Sequence, residues 1–355
     1  MNIKSLLLGS AAAMVAATGA QAADAIVVAE PEPMEYVRIC DTYGTGFFYI
    51  PGTETCLKIG GYLRYQINYR DSDDSVWKLA RFAPSFDART STEWGTLRSY
   101  AEVEFDWTLS PDALVPAYGT GTNLRHAFID IGDQNFLRIG KSWNPIRSWV
   151  PTGNTINDQY LSASAYNLGQ ITYAFNATNG AGIGGGIGFS GFVAVIESDG
   201  SDFHPSIEAG VGYGWGPRPS TNFARLAVGY DTDEGSFMVR GGVDVALGSI
   251  ANGRIAVQYV NDEPGYYRGA LGGSEWSVVA GLDVKASDTV TVNLVAGWYD
   301  DGPFGTANRE WEAAVGLNWQ PFGNNSLQIR PEVQYISNRV GDDNFGANLR
   351  FQRNF

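Results

Sequence analysis

Alternation of apolar and polar residues, segment after segment, is the feature that most constrains this chain. From Cys56 onward the pattern repeats with a period of two, the period of a β-strand with different surroundings on its two faces. In the first segment Ile59, Gly61, Leu63, Tyr65, Ile67 and Tyr69 share one face; Lys58, Gly60, Tyr62, Arg64, Gln66, Asn68 and Arg70 share the other. A slip of one residue would move three cations onto the apolar face, and in hydrocarbon each costs roughly 2–4 kcal/mol near the midplane. The pattern recurs where Leu97, Ser99, Ala101, Val103, Phe105 and Trp107 oppose Arg98, Tyr100, Glu102, Glu104 and Asp106. It recurs again in 276–284, 290–298 and 311–319, and in the last of these Trp311 and Trp319 mark both ends of one apolar face. Tryptophans so placed suit the two interfaces of a membrane; in a soluble sandwich they would sit mid-strand.

Sixteen such segments can be placed, starting near residues 57, 81, 95, 123, 136, 169, 181, 206, 223, 235, 253, 275, 288, 309, 326 and 345. Each segment with its connection takes about 19 residues, which suits strands of ~9–11 residues joined by alternating short and long connections. The longer connections fall at 71–80, 108–122, 144–168, 261–274 and 300–308. Composition agrees: only 17% of residues are charged, 13% are aromatic and 44 are Gly, which fits an all-β chain with many turns. Three features sit awkwardly. The 232–235 connection is short where a long one is due, Pro331 lies on an apolar face, and the Gly-rich 181–191 stretch alternates little.

The first residues set the compartment. Lys4, the apolar stretch Ser5 to Ala17 and the cleavage pattern Ala20-Gln21-Ala22 follow the order of an export signal, with the mature chain starting at Ala23. Beyond them no apolar run approaches the ~18–20 residues of a spanning helix, so helical membrane proteins are excluded and membrane barrels are not. The expected division is an export signal over 1–22, a leader and Cys-closed loop over 23–56, and a transmembrane barrel over 57–355. Cys40 and Cys56 are the only cysteines. An oxidising envelope favours a disulfide between them, against two free thiols or half of a metal site. A formal charge of −14 argues against nucleic acid as a partner.

The last segment, 345–355, places apolar or aromatic residues at every odd position except Arg353 and ends on Phe355. A terminal Phe in a final strand is the signal that barrel-assembly machinery reads, so Phe355 is the expected assembly signal. With these residues in view the chain resembles the alphaproteobacterial general porins over essentially its full length. The resemblance rests on Tyr36-Val37-Arg38-Ile39-Cys40-Asp41, on Gly46 to Leu57, on Gly61-Tyr62-Leu63-Arg64-Tyr65, on Pro331-Glu332-Val333-Gln334-Tyr335 and on the terminal Arg350 to Phe355. It implies a 16-stranded antiparallel transmembrane β-barrel, a homotrimer, with an inward-folded third loop that narrows a water-filled pore. That loop would be 144–168. Family eyelets oppose basic wall residues to acids on the loop; here the loop holds a single acid, Asp158, beside Arg147, Asn154 and Asn157.

The face opposite the lipid carries Lys58, Arg64, Arg70, Arg89, Arg98, Arg330 and Arg350. Arg64 and Arg350 fall near mid-height, Arg89 and Arg98 nearer the periplasm. Together with Asp158 and Asn154 they are the expected pore-lining and constriction residues. Fixed guanidinium groups would set ion preference through a focused field, unless they only pair locally with acids such as Glu102, Glu104, Asp283 and Glu332. Enzyme chemistry has little to work with. His126 and His204 are the only histidines, and no nucleophile, phosphate-loop, dinucleotide or multi-ligand metal motif accompanies them. No cofactor or metal is expected. The paired acids Asp300-Asp301 and Asp342-Asp343 suit outer loops near lipopolysaccharide. The expected activity is passive diffusion of small hydrophilic solutes and ions. The alternative is a substrate-specific channel with a narrower eyelet and an aromatic track of Trp143, Trp149 and Tyr160; a barrel-anchored hydrolase using His126 and a soluble secreted sandwich are more distant rivals.

Overall fold

The computed structural model describes residues 38–72, 74–110, 117–156, 167–197, 204–216, 222–261, 267, 275–300 and 309–355. The export signal and the leader up to residue 37 lie outside the described residues, as do Asp158 and Tyr160. All elements below belong to the unit Ile39–Phe355.

Sixteen strands form one closed antiparallel sheet. They are β1 Cys56–Arg70, β2 Ser75–Thr92, β3 Gly95–Ser110, β4 Ala117–Gly132, β5 Phe136–Trp143, β6 Asn167–Phe175, β7 Gly188–Ile196 and β8 Ser206–Trp215. They continue as β9 Asn222–Asp231, β10 Phe237–Leu247, β11 Ala251–Val260, β12 Trp276–Lys285, β13 Val290–Tyr299, β14 Arg309–Trp319, β15 Leu327–Asn338 and β16 Asn344–Asn354. Each pairs with its sequence neighbour, and β16 closes the barrel on β1 from Gly346 opposite Arg70 to Asn354 opposite Tyr62. No edge is left open, as hydrocarbon requires.

Alternation is realised as two environments. Leu63, Val211, Val315, Trp298, Trp311 and Trp319 point outward and are exposed, while Gln66, Asn68, Asn293, Glu312 and Glu332 point inward and are buried. That inversion, apolar outside and polar inside, is the signature of a strand facing lipid.

Three expected strand starts move. β4 begins at Ala117 instead of 123, within the expected 108–122 loop, which shortens that connection. β2 begins at Ser75 instead of 81, so the expected 71–80 loop shrinks to a tight turn. Register explains why: Trp77 and Leu79 lie opposite Asn68 and Gln66 and face inward, whereas Lys78 lies opposite Ile67 and faces out. Apolar-in and basic-out reverses the polarity that marks the rest of the wall. The seventh strand begins at Gly188, not 181. The Gly-rich residues before it form a separate hairpin, Ala177–Asn179 with Ile183–Gly185. Pro331 sits where the β14–β15 ladder is interrupted, between Gly316 opposite Glu332 and Trp319 opposite Ile329, so its missing N–H is tolerated.

Cys40 and Cys56 are bridged, with Cα atoms 6.0 Å apart. The loop they close turns back onto the sheet through the two-residue strand Phe48–Tyr49, which pairs with the start of β1. Inside the barrel, on the side of β5 to β11, Phe136, Ile146, Trp149, Ile183, Phe192, Met238 and Tyr267 form a buried apolar cluster. The interior is therefore filled on that side.

Candidate functional site

The filling begins at the top of β5. Pro145 opens the short helix α1, Pro145–Trp149, where a missing N–H costs nothing and φ is already helical. Glu208 of β8 receives three donors there: the Ile146 amide at 2.8 Å, the Asn144 side chain at 3.3 Å and the Tyr267 hydroxyl at 3.2 Å. A buried carboxylate so engaged fixes the helix start. Trp149 is fully buried, its indole N–H donating to Val211 O at 3.2 Å and its ring edge-on to Phe192 at 5.1 Å. Burial of that side chain contributes roughly 2–3 kcal/mol.

Beyond α1 the chain runs extended along the inward-facing side chains of successive strands. Arg225 of β9 donates to Trp149 O at 2.9 Å, and Arg240 of β10 to Val150 O at 2.7 Å. Asn154 donates to Asp283 of β12 at 2.5 Å, while its carbonyl accepts from Arg330 of β15. The Ile156 amide donates to Glu332 of β15 at 2.5 Å. Gly153 allows the close approach: a Cβ there would come within 2.3 Å of Val295 on β13. From Asn144 to Ile156 the segment thus spans the inner wall from β8 to β15.

Across from it lies a cavity of about 530 Å³. Its lining brings together Arg64 of β1, Arg81 of β2, Arg125 of β4, Arg147 of α1, Arg330 of β15 and Arg350 of β16, beside Asn154, Thr155 and Ile156. Six guanidinium groups line it, and among the described residues no carboxylate does. Behind this surface Arg81 pairs with Asp106 at 2.7 Å and Glu104 at 2.5 Å, and Arg125 with Glu102 at 3.1 Å and Glu104 at 3.0 Å. Neutral oxygens hold two others: Arg64 donates to Gln352 at 3.0 Å and Arg350 to Gln66 at 2.7 Å. Arg64 also stacks on Tyr62 and Arg147 on Trp143, with guanidinium-to-ring distances of 4.8 and 5.2 Å. Hydrogen bonds of this kind orient the cations without cancelling their charge.

Of the residues expected from the sequence, Arg64, Arg350 and Asn154 meet at this cavity. Arg89 and Arg98 do not. They share Asp87 near the periplasmic end, at 2.8 and 3.0 Å, and Arg98 also reaches Asp130 at 3.4 Å. Asp158 lies outside the described residues. Phe355 stands at the barrel rim, exchanging backbone hydrogen bonds with Gly61 at 3.1 Å in each direction. Trp149 is buried behind α1, so the expected aromatic track is not assembled from it.

Arg81 and Arg125 were missed by the alternation. Arg125 shares sequence parity with the outward Ile129, but the β3–β4 register jumps between Glu102 opposite His126 and Val103 opposite Leu124. Arg125 is the extra residue of that bulge, and the bulge turns its side chain inward. His126 beside it is buried, its ring edge-on to Trp143 at 5.2 Å and neither ring nitrogen hydrogen-bonded to the described residues.

The sequence and the fold have known relatives. The chain matches the family model described as a porin subfamily over residues 24–352. It is 37% identical to the porin Omp2b of Brucella canis and to the porin Omp2a of Brucella suis, over the whole of both chains in each case. The fold superposes on a mutant of the Rh. blastica porin with a TM-score of 0.57 at 12% identity, covering 84% of this chain and 100% of that one. Pseudomonas putida OprB gives 0.59 at 12% identity, with 84% and 94% covered. A match over nearly the whole chain, relatives matching over their full length and a closed 16-stranded barrel lead to one conclusion: the chain belongs to the porin subfamily, channels rather than enzymes, and is a multi-pass barrel of the bacterial outer membrane that works as a general porin.

Proposed function

We propose that 144–168 is the constriction loop of this porin and that the arginines facing it make the eyelet prefer anions. The observation that carries this is the cavity lining: Arg64, Arg81, Arg125, Arg147, Arg330 and Arg350 face loop residues 153–156, with no carboxylate among the described residues of the lining. Arg81 and Arg125 are offset by Glu102, Glu104 and Asp106 behind them, and the cationic surface that Arg64, Arg147, Arg330 and Arg350 add between low-dielectric walls focuses its field and raises the local concentration of counter-ions. The sequence of the loop beyond the described residues holds a single acid, Asp158. Arg89 and Arg98, each beside Asp87, extend the charged wall toward the periplasm at lower net charge. Small hydrophilic solutes and ions pass by diffusion, with no chemical step and no cofactor. Assembly as a homotrimer among outer-membrane lipid and lipopolysaccharide, export through a signal over 1–22, and recognition of Phe355 by barrel-assembly machinery complete the reading.

The test is Arg64→Gln combined with Arg350→Gln. Both residues are held by amide oxygens, so neutral replacements keep the hydrogen-bonding scale while removing two charges. The zero-current potential in a salt gradient should move toward the cation limit, with conductance changed less than twofold. A potential unmoved by the double substitution contradicts the eyelet assignment.

A further inference from the structure

One connection breaks the pattern of the barrel. The periplasmic turns of such barrels are short, and here β2–β3, β4–β5, β10–β11 and β12–β13 are joined by only a few residues. Between β6 and β7 the chain instead spends residues 176–187, folded as the hairpin Ala177–Asn179 with Ile183–Gly185. The tip of that hairpin enters the barrel. Ser142 donates to Ala181 O at 2.6 Å, and Ser142 lies six residues above the lower end of β5, roughly 20 Å along the strand. Arg138 donates to Gly180 O at 2.8 Å and to Ala181 O at 3.1 Å, and Arg98 donates to Asn179 O at 2.5 Å.

The wall behind the hairpin is dry. Asp130, Arg138 and Ser142 face inward and are fully buried, covered by the hairpin whose carbonyls Arg138 and Ser142 bind. Asp130 grips Arg138 through both oxygens, at 2.8 and 2.9 Å, so the cation that holds the hairpin carbonyls is itself neutralised. The upper side of the hairpin meets the helix. The Ile183 amide donates to Ser148 Oγ at 3.0 Å, and Ile183 is buried in the cluster with Ile146 and Trp149. Gly182 comes so close that a Cβ would sit 2.6 Å from that of Ser148, which explains why this stretch is rich in Gly and lacks alternation. Its free side borders a second cavity, of about 600 Å³, where Thr178 and Asn179 face Tyr43 of the disulfide-closed loop and Arg89. Tyr43 is fixed there by its hydroxyl on Ser91 at 2.8 Å.

We propose that the 177–185 hairpin is a second narrowing of the pathway, entered from the periplasmic end, which acts as a sieve by size and as the floor on which α1 rests. It offers the pathway hydroxyl, amide and glycine surface, and its cationic neighbours Arg89, Arg98 and Arg138 are balanced by Asp87, Asp130 and the cavity-lining Asp133. It therefore limits what passes without adding to the preference for anions. The proposal rests on the channel reading but not on the arginine eyelet.

The native chain has two cysteines, both bridged, so an introduced thiol is unique. Thr178→Cys places one on the exposed side of the hairpin, and Glu234→Cys in the exposed β9–β10 turn is the control. Each is labelled in the folded porin with a small and then a bulky neutral thiosulfonate, with completeness read by mass. Bulky labelling at residue 178 should lower single-channel conductance at least twofold, the small reagent should lower it less, and the zero-current potential should stay fixed. Labelling at residue 234 should change neither. Replacing 178–184 by Asn-Gly should raise conductance and admit larger neutral sugars. Complete bulky labelling at 178 with unchanged conductance overturns the proposal, whether or not the shortened variant folds. A wild-type protein without conductance would instead remove the channel reading, and an unmoved potential in the Arg64/Arg350 variant would remove only the eyelet.

Discussion

At the scale of single residues the decisive variable is which face of a strand a side chain occupies. Leu63 is half exposed on the outer face, while its neighbour Arg64 points inward and is held by Gln352. Leu63→Arg should cost about 2–4 kcal/mol of folding stability in bilayers, depending on its depth, and Arg64→Leu under about 1 kcal/mol. Equal and mild losses for both in urea titrations of the folded protein would contradict the register. Outside the membrane, Asp343 accepts from the Tyr335 hydroxyl at 2.5 Å and from the Asn338 amide at 2.9 Å, which holds its carboxyl below the ordinary 3.8. A carboxyl depressed in the folded state supports the β15–β16 turn fully above its ordinary value, and that support is lost as pH falls through its own lower value. Its ¹³C titration should therefore lie below 3.8, and Tyr335→Phe should raise it toward 3.8; an unchanged midpoint would show that the hydroxyl is irrelevant. Parity alone made Arg64, Arg330 and Arg350 legible as inward. It could not find Arg125, because a bulge is set by pairing with β3 and not by the residue's own strand.

At the scale of elements, regular strands were legible and irregular ones were not. Thirteen of the sixteen starts fell within two residues of their observed positions because lipid on one side and water on the other write a period of two into the sequence. The beginning of β2 was hidden by inward Trp77 and Leu79, which form part of the eyelet's wall. The hairpin at 177–185 was hidden by its glycines, which serve close packing instead of a two-faced surface. The segment 144–168 stood out by length and by its low charge, and its described part now has named anchors on Glu208, Asp283 and Glu332. Deleting 152–163 removes two of these anchors while leaving α1 and Glu208 in place. Single-channel conductance should rise severalfold with the barrel intact. Unchanged conductance together with loss of the oligomer would make the segment an interface element.

For the whole molecule, an apolar outer band, a closed hydrogen-bond ladder and a polar interior follow from one requirement, that every backbone group be satisfied without water. Among the described residues, the space left inside by the loop and the hairpin lies on the side of β1, β2, β4, β15 and β16. The arginines there make the claim that distinguishes this porin from a neutral sieve, and it is a property of the assembled interior that no single strand displays. The most direct test is the current through single channels in planar bilayers with potassium chloride at two concentrations. Ohmic steps of constant size, with a zero-current potential showing severalfold preference for chloride, are the predicted result. Absence of steps, or a preference for potassium, would contradict it.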